Sequence, residues 1–246
     1  VEAFRFRLAR RWLLRTAARV VVLSSSDATA YGTAASVSTV GPILSTQISR
    51  EALDVTPDAP NRAGMLFIGA LDTSQTTQGL NWFVEQVLPL VLRAVPDVEL
   101  RVVGRGADSQ LKRMLSTTAG VVFVGEVDDL APELQSARIF VNPVHFGSGV
   151  NMKMGPPAEA GLPIVATDFG VRGLAPLADA ILCANDPEQF AHHCVTLLND
   201  DAEWATRSNR LRQILSDNYS DVAVAGKLWD AINQSAERST ESRNLI

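Results

Sequence analysis

The sequence predicts an α/β protein built on a doubly wound parallel sheet. Three observations lead there. Short apolar runs rich in β-branched residues recur after Gly64: MLFIGA, VELRVVG, VVFVG, RIFVNP, PIVAT and AILCA. Between them lie segments of helical period at 79–94, 108–117 and 129–137, and another opening on Asp186-Pro187. The apolar runs are continuous rather than alternating, the pattern of strands buried on both faces. Strands alternating with helices form parallel sheets with helices on either side.

The elements before Gly64 follow a different rhythm. Residues 2–18 read as a helix and 19–24 (RVVVLS) as a buried strand. SSDATAYG reads as a helical turn capped by Ser25, Ser26 or Asp27, and VSTV as a short strand. From Gly41 to Gly64 the chain is rich in Pro, Ser, Asp and Asn without a sustained period, which reads as an interdomain linker. At the other end, 201–217 and 219–236 read as two helices, and the last ten residues as a polar, frayed terminus.

Composition narrows the function. With 46% hydrophobic and 20% charged residues, the 246-residue chain has ample apolar surface for a core. No apolar run reaches the roughly 18 residues of a membrane span. The net charge of −5 argues against nucleic acid as the main partner. Cys183 and Cys194 match no metal or redox spacing and read as two buried thiols in a reducing cytosol, so a cytoplasmic location is expected. The charge is uneven: residues 1–19 hold six arginines and one acid, leaving −10 on the remainder. Arg7, Arg11, Arg15 and Arg19 fall four apart and form a stripe on one helix face, with Phe6, Leu13 and Leu14 roughly opposite. Two readings stand: a solvated face, or contact with an anionic membrane surface or an acidic partner chain.

In doubly wound sheets, ligands bind at the carboxyl ends of the strands. The loops of interest are therefore 71–78, 104–108, 125–129, 143–152 and 167–174. Loop 104–108 (GRGAD) has two glycines of a dinucleotide fingerprint but lacks the third, so Gly104 and Gly106 read as turn glycines. In 143–152, Gly147 and Gly149 flank Ser148 ahead of a helix, with Lys153 following. Backbone N–H groups at a helix start, aided by a lysine, suit a phosphate; a plain tight turn with a surface lysine is the other reading. Loop 167–174 (TDFGVRGL) adds two glycines and Arg172 on the adjacent strand, which favours a shared anion site. The histidines offer no cluster: His192 and His193 are adjacent on a helix, and His145 is isolated.

The run GSGVNMK followed by AGLPIVATDFGVRGL resembles the donor-binding core of GT-B glycosyltransferases of the GT4-like group 1 family. MLFIGALDTSQTTQGLNWFVEQVLPLV, VPDVELRVVGRG and VVFVGEVDDLAPELQSARIFVNP follow that family's carboxyl-terminal domain in order, so the resemblance covers about 19–200. It implies a Rossmann-like donor domain at 64–217, a remnant of the acceptor-side domain at 1–50, a linker at 51–63, and a C-terminal helix and tail at 218–246. It implies retaining transfer of a sugar from a nucleotide-diphosphate donor, with no cofactor and no metal. Carried over by position, Gly147, Ser148, Gly149, Asn151 and Lys153 hold the diphosphate. Phe169, Gly170, Arg172, Gly173 and Leu174 lie over the sugar and phosphates, and 125–129 helps frame the base. Fixed N–H dipoles and a lysine can stabilise the charge that develops on a leaving diphosphate.

Two departures qualify that expectation. The family's glutamate three residues after the lysine, which meets the donor ribose, is replaced by Pro156; Glu159 is the nearest carboxylate that could substitute. Two consecutive prolines at 156 and 157 also require the helix to start near Gly155, leaving Lys153 on the loop. The second departure is the acceptor-binding half, represented by a remnant, so the chain is expected to be a fragment or a half that pairs with another chain. A non-catalytic nucleotide-sugar-binding or interaction module descended from such an enzyme is the alternative.

Overall fold

The computed structural model describes residues 19–31, 37–44 and 61–243, and Ala9, Trp12, Thr16 and Ala17 singly. Arg7, Arg11 and Arg15 of the predicted stripe, with Phe6, Leu13 and Leu14, lie outside the described residues, as does 51–60 of the predicted linker. The chain divides into two compact units, one of Val1–Ile43 with Ser216–Ile246 and the other of Leu44–Leu215.

In the first unit, β1 (Val20–Val22) pairs in parallel with β2 (Val37–Thr39), Val20 facing Val37, and α1 (Ser25–Tyr31) connects them. The cap of α1 is Ser24, one residue before the predicted candidates. Its hydroxyl accepts from the Asp27 N–H at 3.1 Å and donates to the Asp27 carboxylate at 2.7 Å. Asp27 thus reaches back from the first turn, where a carboxylate suits the helix dipole. Arg19 departs from the predicted exposed stripe: it is half-buried and donates to the Ser38 hydroxyl.

The second unit holds six parallel strands: β3 (Ala63–Ile68), β4 (Leu100–Val103), β5 (Val121–Gly125), β6 (Ala137–Asn142), β7 (Ile164–Ala166) and β8 (Leu182–Cys183). Their spatial order is β5-β4-β3-β6-β7-β8. The chain therefore winds outward from β3 to one edge, returns to β6 beside β3, and winds to the other edge. The reversal between β3 and β6 is the topological switch point, where sheets of this kind open a crevice. Met65, Phe67, Ile139 and Val141 face one side of the sheet and belong to one buried cluster with Leu80, Phe83, Val87, Phe190 and Leu197. By strand alternation Leu66 and Phe140 face the other side, and both are fully buried. Both faces are covered, as the continuous apolar runs require.

The helices carry three differences from expectation. The first begins at Ser74, not residue 79: α2 (Ser74–Trp82) takes Gly79 into its interior. A Cβ at Gly79 would sit 2.5 Å from the Pro143 carbonyl oxygen, so the glycine is there for close approach of backbone rather than as a helix start. Second, α2 continues through a π-helical turn (Phe83–Val87) into α3 (Leu88–Ala94). Pro89 cannot donate and would crowd the carbonyl four residues back; the wider turn ahead of it accommodates both problems. Third, the final helix extends to Arg243, beyond the predicted end near 236. Elsewhere α4 (Ser109–Thr117) is capped by Asp108, α5 (Ala131–Ser136) leads directly into β6, and α8 (Pro187–Asn199) is capped by Asp186 as read. Between α5 and α8 lie α6 (Gly155–Glu159) and α7 (Ala175–Ala178); α9 (Asp201–Tyr219) and α10 (Asp221–Arg243) complete the chain. Among the described residues no helix is long and apolar enough to cross a membrane.

Candidate functional site

A cavity of about 120 Å³ opens at the switch point. Its walls come from three elements that the sheet order brings together. Gln75 and Thr76 stand in the first turn of α2, after β3. Val144, Phe146, Gly147, Ser148, Gly149, Val150, Asn151 and Lys153 follow β6, and Phe169 follows β7. Gly147 and Gly149 take φ of 143° and 75°, in the region that favours glycine, so the loop can fold tightly against its neighbours.

Lys153 is the charged member of the wall. It sits in a 3₁₀ turn (Met152–Met154), and α6 starts at Gly155 with both prolines in its first turn, as the Pro156-Pro157 pair dictates. Its Nζ is buried, lies 5.6 Å from the centroid of the Phe67 ring, and has no hydrogen-bond partner among the described residues. Burial lowers its pKa to about 8. A desolvated cation without an anion is costly to keep, and an aromatic face compensates only part of that cost. A buried charge of this kind in a cleft is a candidate for a ligand site.

The second glycine loop is fastened to the first. The Gly170 carbonyl accepts from Asn142 Nδ2 and from Asn151 Nδ2, each at 3.0 Å. The Gly170 N–H donates to the Thr167 hydroxyl at 3.0 Å, and that hydroxyl donates to the Val144 carbonyl. A Cβ on Gly170 would lie 2.8 Å from the Asn142 carbonyl oxygen and 3.0 Å from its amide nitrogen. The loops after β6 and β7 are therefore one hydrogen-bonded unit.

Of the residues expected from sequence, Gly147, Ser148, Gly149, Asn151, Lys153 and Phe169 come together around the cavity. Glu159, Gly170, Arg172, Gly173 and Leu174 are not in its wall. Arg172 is exposed and stacks on Phe169, its guanidinium carbon 5.4 Å from the ring centroid. Glu159 ends α6, on the far side of Pro156 from Lys153. The helix that was to offer its N-terminus is five residues long and separated from the glycine loop by the 3₁₀ turn, so the positive charge comes from Lys153 instead. Gln75 and Thr76 fall in loop 71–78 and Thr167 in loop 167–174, which the sequence marked without singling these residues out, and Asn142 was missed. The first two could have been found by placing β3 next to β6; the asparagine and threonine are strand-end residues with no sequence signature of their own.

The remaining singled-out residues lie elsewhere. The His145 ring packs edge-on against Trp82, centroids 4.5 Å apart, and burial lowers its pKa. The His192 and His193 rings are 6.1 Å apart. Cys194 is fully buried but Cys183 only partly; burial and the Asp168 carboxylate push the Cys183 thiol up to about 11, so neither reads as a reactive thiolate.

The fold has known counterparts. The Anabaena protein HepE, in a crystal structure with UDP and glucose, superimposes with a TM-score of 0.67 at 15% identity, over 92% of this chain and 66% of that one. WaaG, a glycosyltransferase involved in lipopolysaccharide biosynthesis, gives a TM-score of 0.60 at 14% identity, over 85% and 61%. These likenesses establish the Rossmann-like α/β fold of GT-B enzymes. The phosphatidyl-myo-inositol mannosyltransferase of Mycobacterium leprae is 32% identical over 207 residues, 71% of this chain and 52% of its own. A 44.6 kDa protein in the cps region of Klebsiella pneumoniae is 25% identical over 177 residues, 69% and 46% of the two chains. The chain thus spans about half the length of these curated relatives. The family profile Glycosyl transferases group 1 matches residues 62–200, more than half of the chain, and the chain belongs to that family.

Proposed function

We propose that this chain is the donor-binding half of a group 1 glycosyltransferase, and that the switch-point cavity takes the diphosphate of a nucleotide-diphosphate sugar. The observation that carries this reading is Lys153, a residue of the cavity wall beside the glycine loop whose buried ammonium has no hydrogen-bond partner among the described residues. The fold neighbour HepE forms complexes with UDP and with UDP-glucose, which supports the ligand class. A diphosphate leaving group gains charge as the glycosidic bond breaks, and Lys153 with nearby N–H dipoles would stabilise it. Retaining, metal-independent transfer is part of this proposal and rests on the family resemblance. Acceptor binding is assigned to a separate domain or chain. Peripheral contact with anionic lipid through Arg7, Arg11 and Arg15 belongs to the same proposal and rests on their spacing; co-sedimentation with anionic but not neutral vesicles would support it, and indifference to lipid charge would remove it.

The second reading is a non-catalytic module that still binds the nucleotide. It is favoured by Pro156, whose ring offers no acceptor where the family pattern has a carboxylate. A calorimetric screen of UDP-, GDP- and ADP-sugars against NAD tests ligand class. Release of labelled sugar, with the acceptor half supplied, separates enzyme from module.

A further inference from the structure

The Gly170 carbonyl carries one more donor than the fold needs. Asn142 is fully buried at the end of β6 and already satisfies that oxygen. Asn151, half-buried and in the cavity wall, supplies a second bond to the same atom. With one donor already in place, loss of the second leaves the oxygen satisfied rather than orphaned, so no desolvation penalty is added. The second bond does, however, join three things. Asn151 immediately precedes the 3₁₀ turn that bears Lys153, and its own carbonyl accepts from the Met154 N–H at 3.2 Å, closing that turn. Its side chain reaches across to the loop after β7. Gly170 is in turn immobilised by Thr167 and by the lack of room for a Cβ.

We propose that Asn151 is a positioning residue, which pins the Lys153 turn to the Gly170 loop and so keeps the Lys153 ammonium enclosed and aimed into the cavity before any anion arrives. The inference rests on the donor-site reading for its purpose, but its geometry stands independently. Without the pin, the turn can lift, water reaches Nζ, and an incoming anion must order the loop as it binds. Asn142, which also donates to Met154 Sδ at 3.2 Å, ties the end of the same turn from within the core, while Asn151 ties its start at the cavity wall.

The test uses the full chain, with Asn151→Ala and Asn151→Leu; the leucine keeps the size and removes the donor. Lys153 is one of three lysines, with Lys112 and Lys227, so its modification is readily mapped. Amine labelling at pH 7–10, read by peptide mass, reports enclosure of Nζ with the exposed Lys112 as internal reference. Both variants should label Lys153 about tenfold faster with Lys112 unchanged, and should melt within about 2 °C of wild type. Titration with UDP and GDP should show about tenfold weaker binding for whichever nucleotide the wild type takes, a loss of about 1.4 kcal/mol. Unchanged Lys153 labelling overturns the proposal. So does altered labelling with unchanged nucleotide affinity, or a melting loss as large as that of Asn142→Ala, which would make Asn151 a fold residue. If the wild type binds neither nucleotide, the donor-site reading falls, and the labelling comparison alone decides whether Asn151 encloses Lys153.

Discussion

Lys153 Nζ lies 5.6 Å over the Phe67 ring with no hydrogen-bond partner among the described residues. Strand β3 supplies the ring and the loop after β6 supplies the lysine, so the pair exists because the sheet reverses its winding between those strands. Relief of this uncompensated burial gives the first prediction. Lys153→Met, which keeps the apolar stem, should stabilise the ligand-free protein by on the order of 1–3 kcal/mol near pH 7. Denaturant unfolding checks it; a loss of stability would mean the ammonium has a compensating partner.

The pH dependence of that gain follows from the lowered pKa. Folded Lys153 titrates at about 8 against 10.5 for the ordinary side chain. Between those values the unfolded chain binds more protons, so this group makes stability rise with pH across the window. The penalty is fully present below pH 8 and gone above 10.5. The advantage of Lys153→Met should therefore shrink steadily from pH 8 to 10.5. Comparing the two proteins cancels the opposite contribution of Cys183, whose thiol is pushed up to about 11.

The sheet and most helices were legible because their signal is local. Continuous apolar runs between helical segments specify a covered parallel sheet without reference to anything distant. What was not legible depended on contacts between loops far apart in sequence. Gly79 reads as the start of its helix until Pro143 is placed against it, and Asn142 reads as a polar strand end until Gly170 is seen above it. Six of the singled-out residues line one cavity, and the glycines and lysine among them are chemically conspicuous at a strand end. Arg172 was equally conspicuous, yet it stacks outside the cavity on Phe169.

Gly170→Ala should destabilise the protein by about 1–3 kcal/mol. Its added methyl would press on the Asn142 backbone and amide at 2.8 and 3.0 Å. The glycine's φ is not in the left-handed region, so the loss is steric. Thermal unfolding measures it. A neutral effect would show that the loop after β7 yields, and that the clamp is softer than its hydrogen bonds imply.

Pro156→Glu should restore the acceptor that the family pattern places near the ribose. Calorimetry should show about tenfold tighter nucleotide diphosphate binding, consistent with one charge-assisted hydrogen bond. Unchanged or weaker affinity would assign that contact to Glu159 or to a different pocket.

Binding should also respond to pH through Lys153. An anion raises the lysine's pKa in the complex, so affinity is full below pH 8 and falls, by up to tenfold per pH unit, as pH climbs above it. Titrations at pH 7, 8.5 and 9.5 check the direction. Affinity that rises with pH would place the anion away from the ammonium.

Isothermal titration of UDP and GDP into the wild-type chain and Lys153→Met bears most directly on the donor-site claim. At least one nucleotide should bind the wild type, and Lys153→Met should weaken it about thirtyfold or more while melting at a higher temperature, a loss of about 2 kcal/mol. Binding of neither nucleotide, or equal affinity in the two proteins, would contradict the assignment of the switch-point cavity as a diphosphate site.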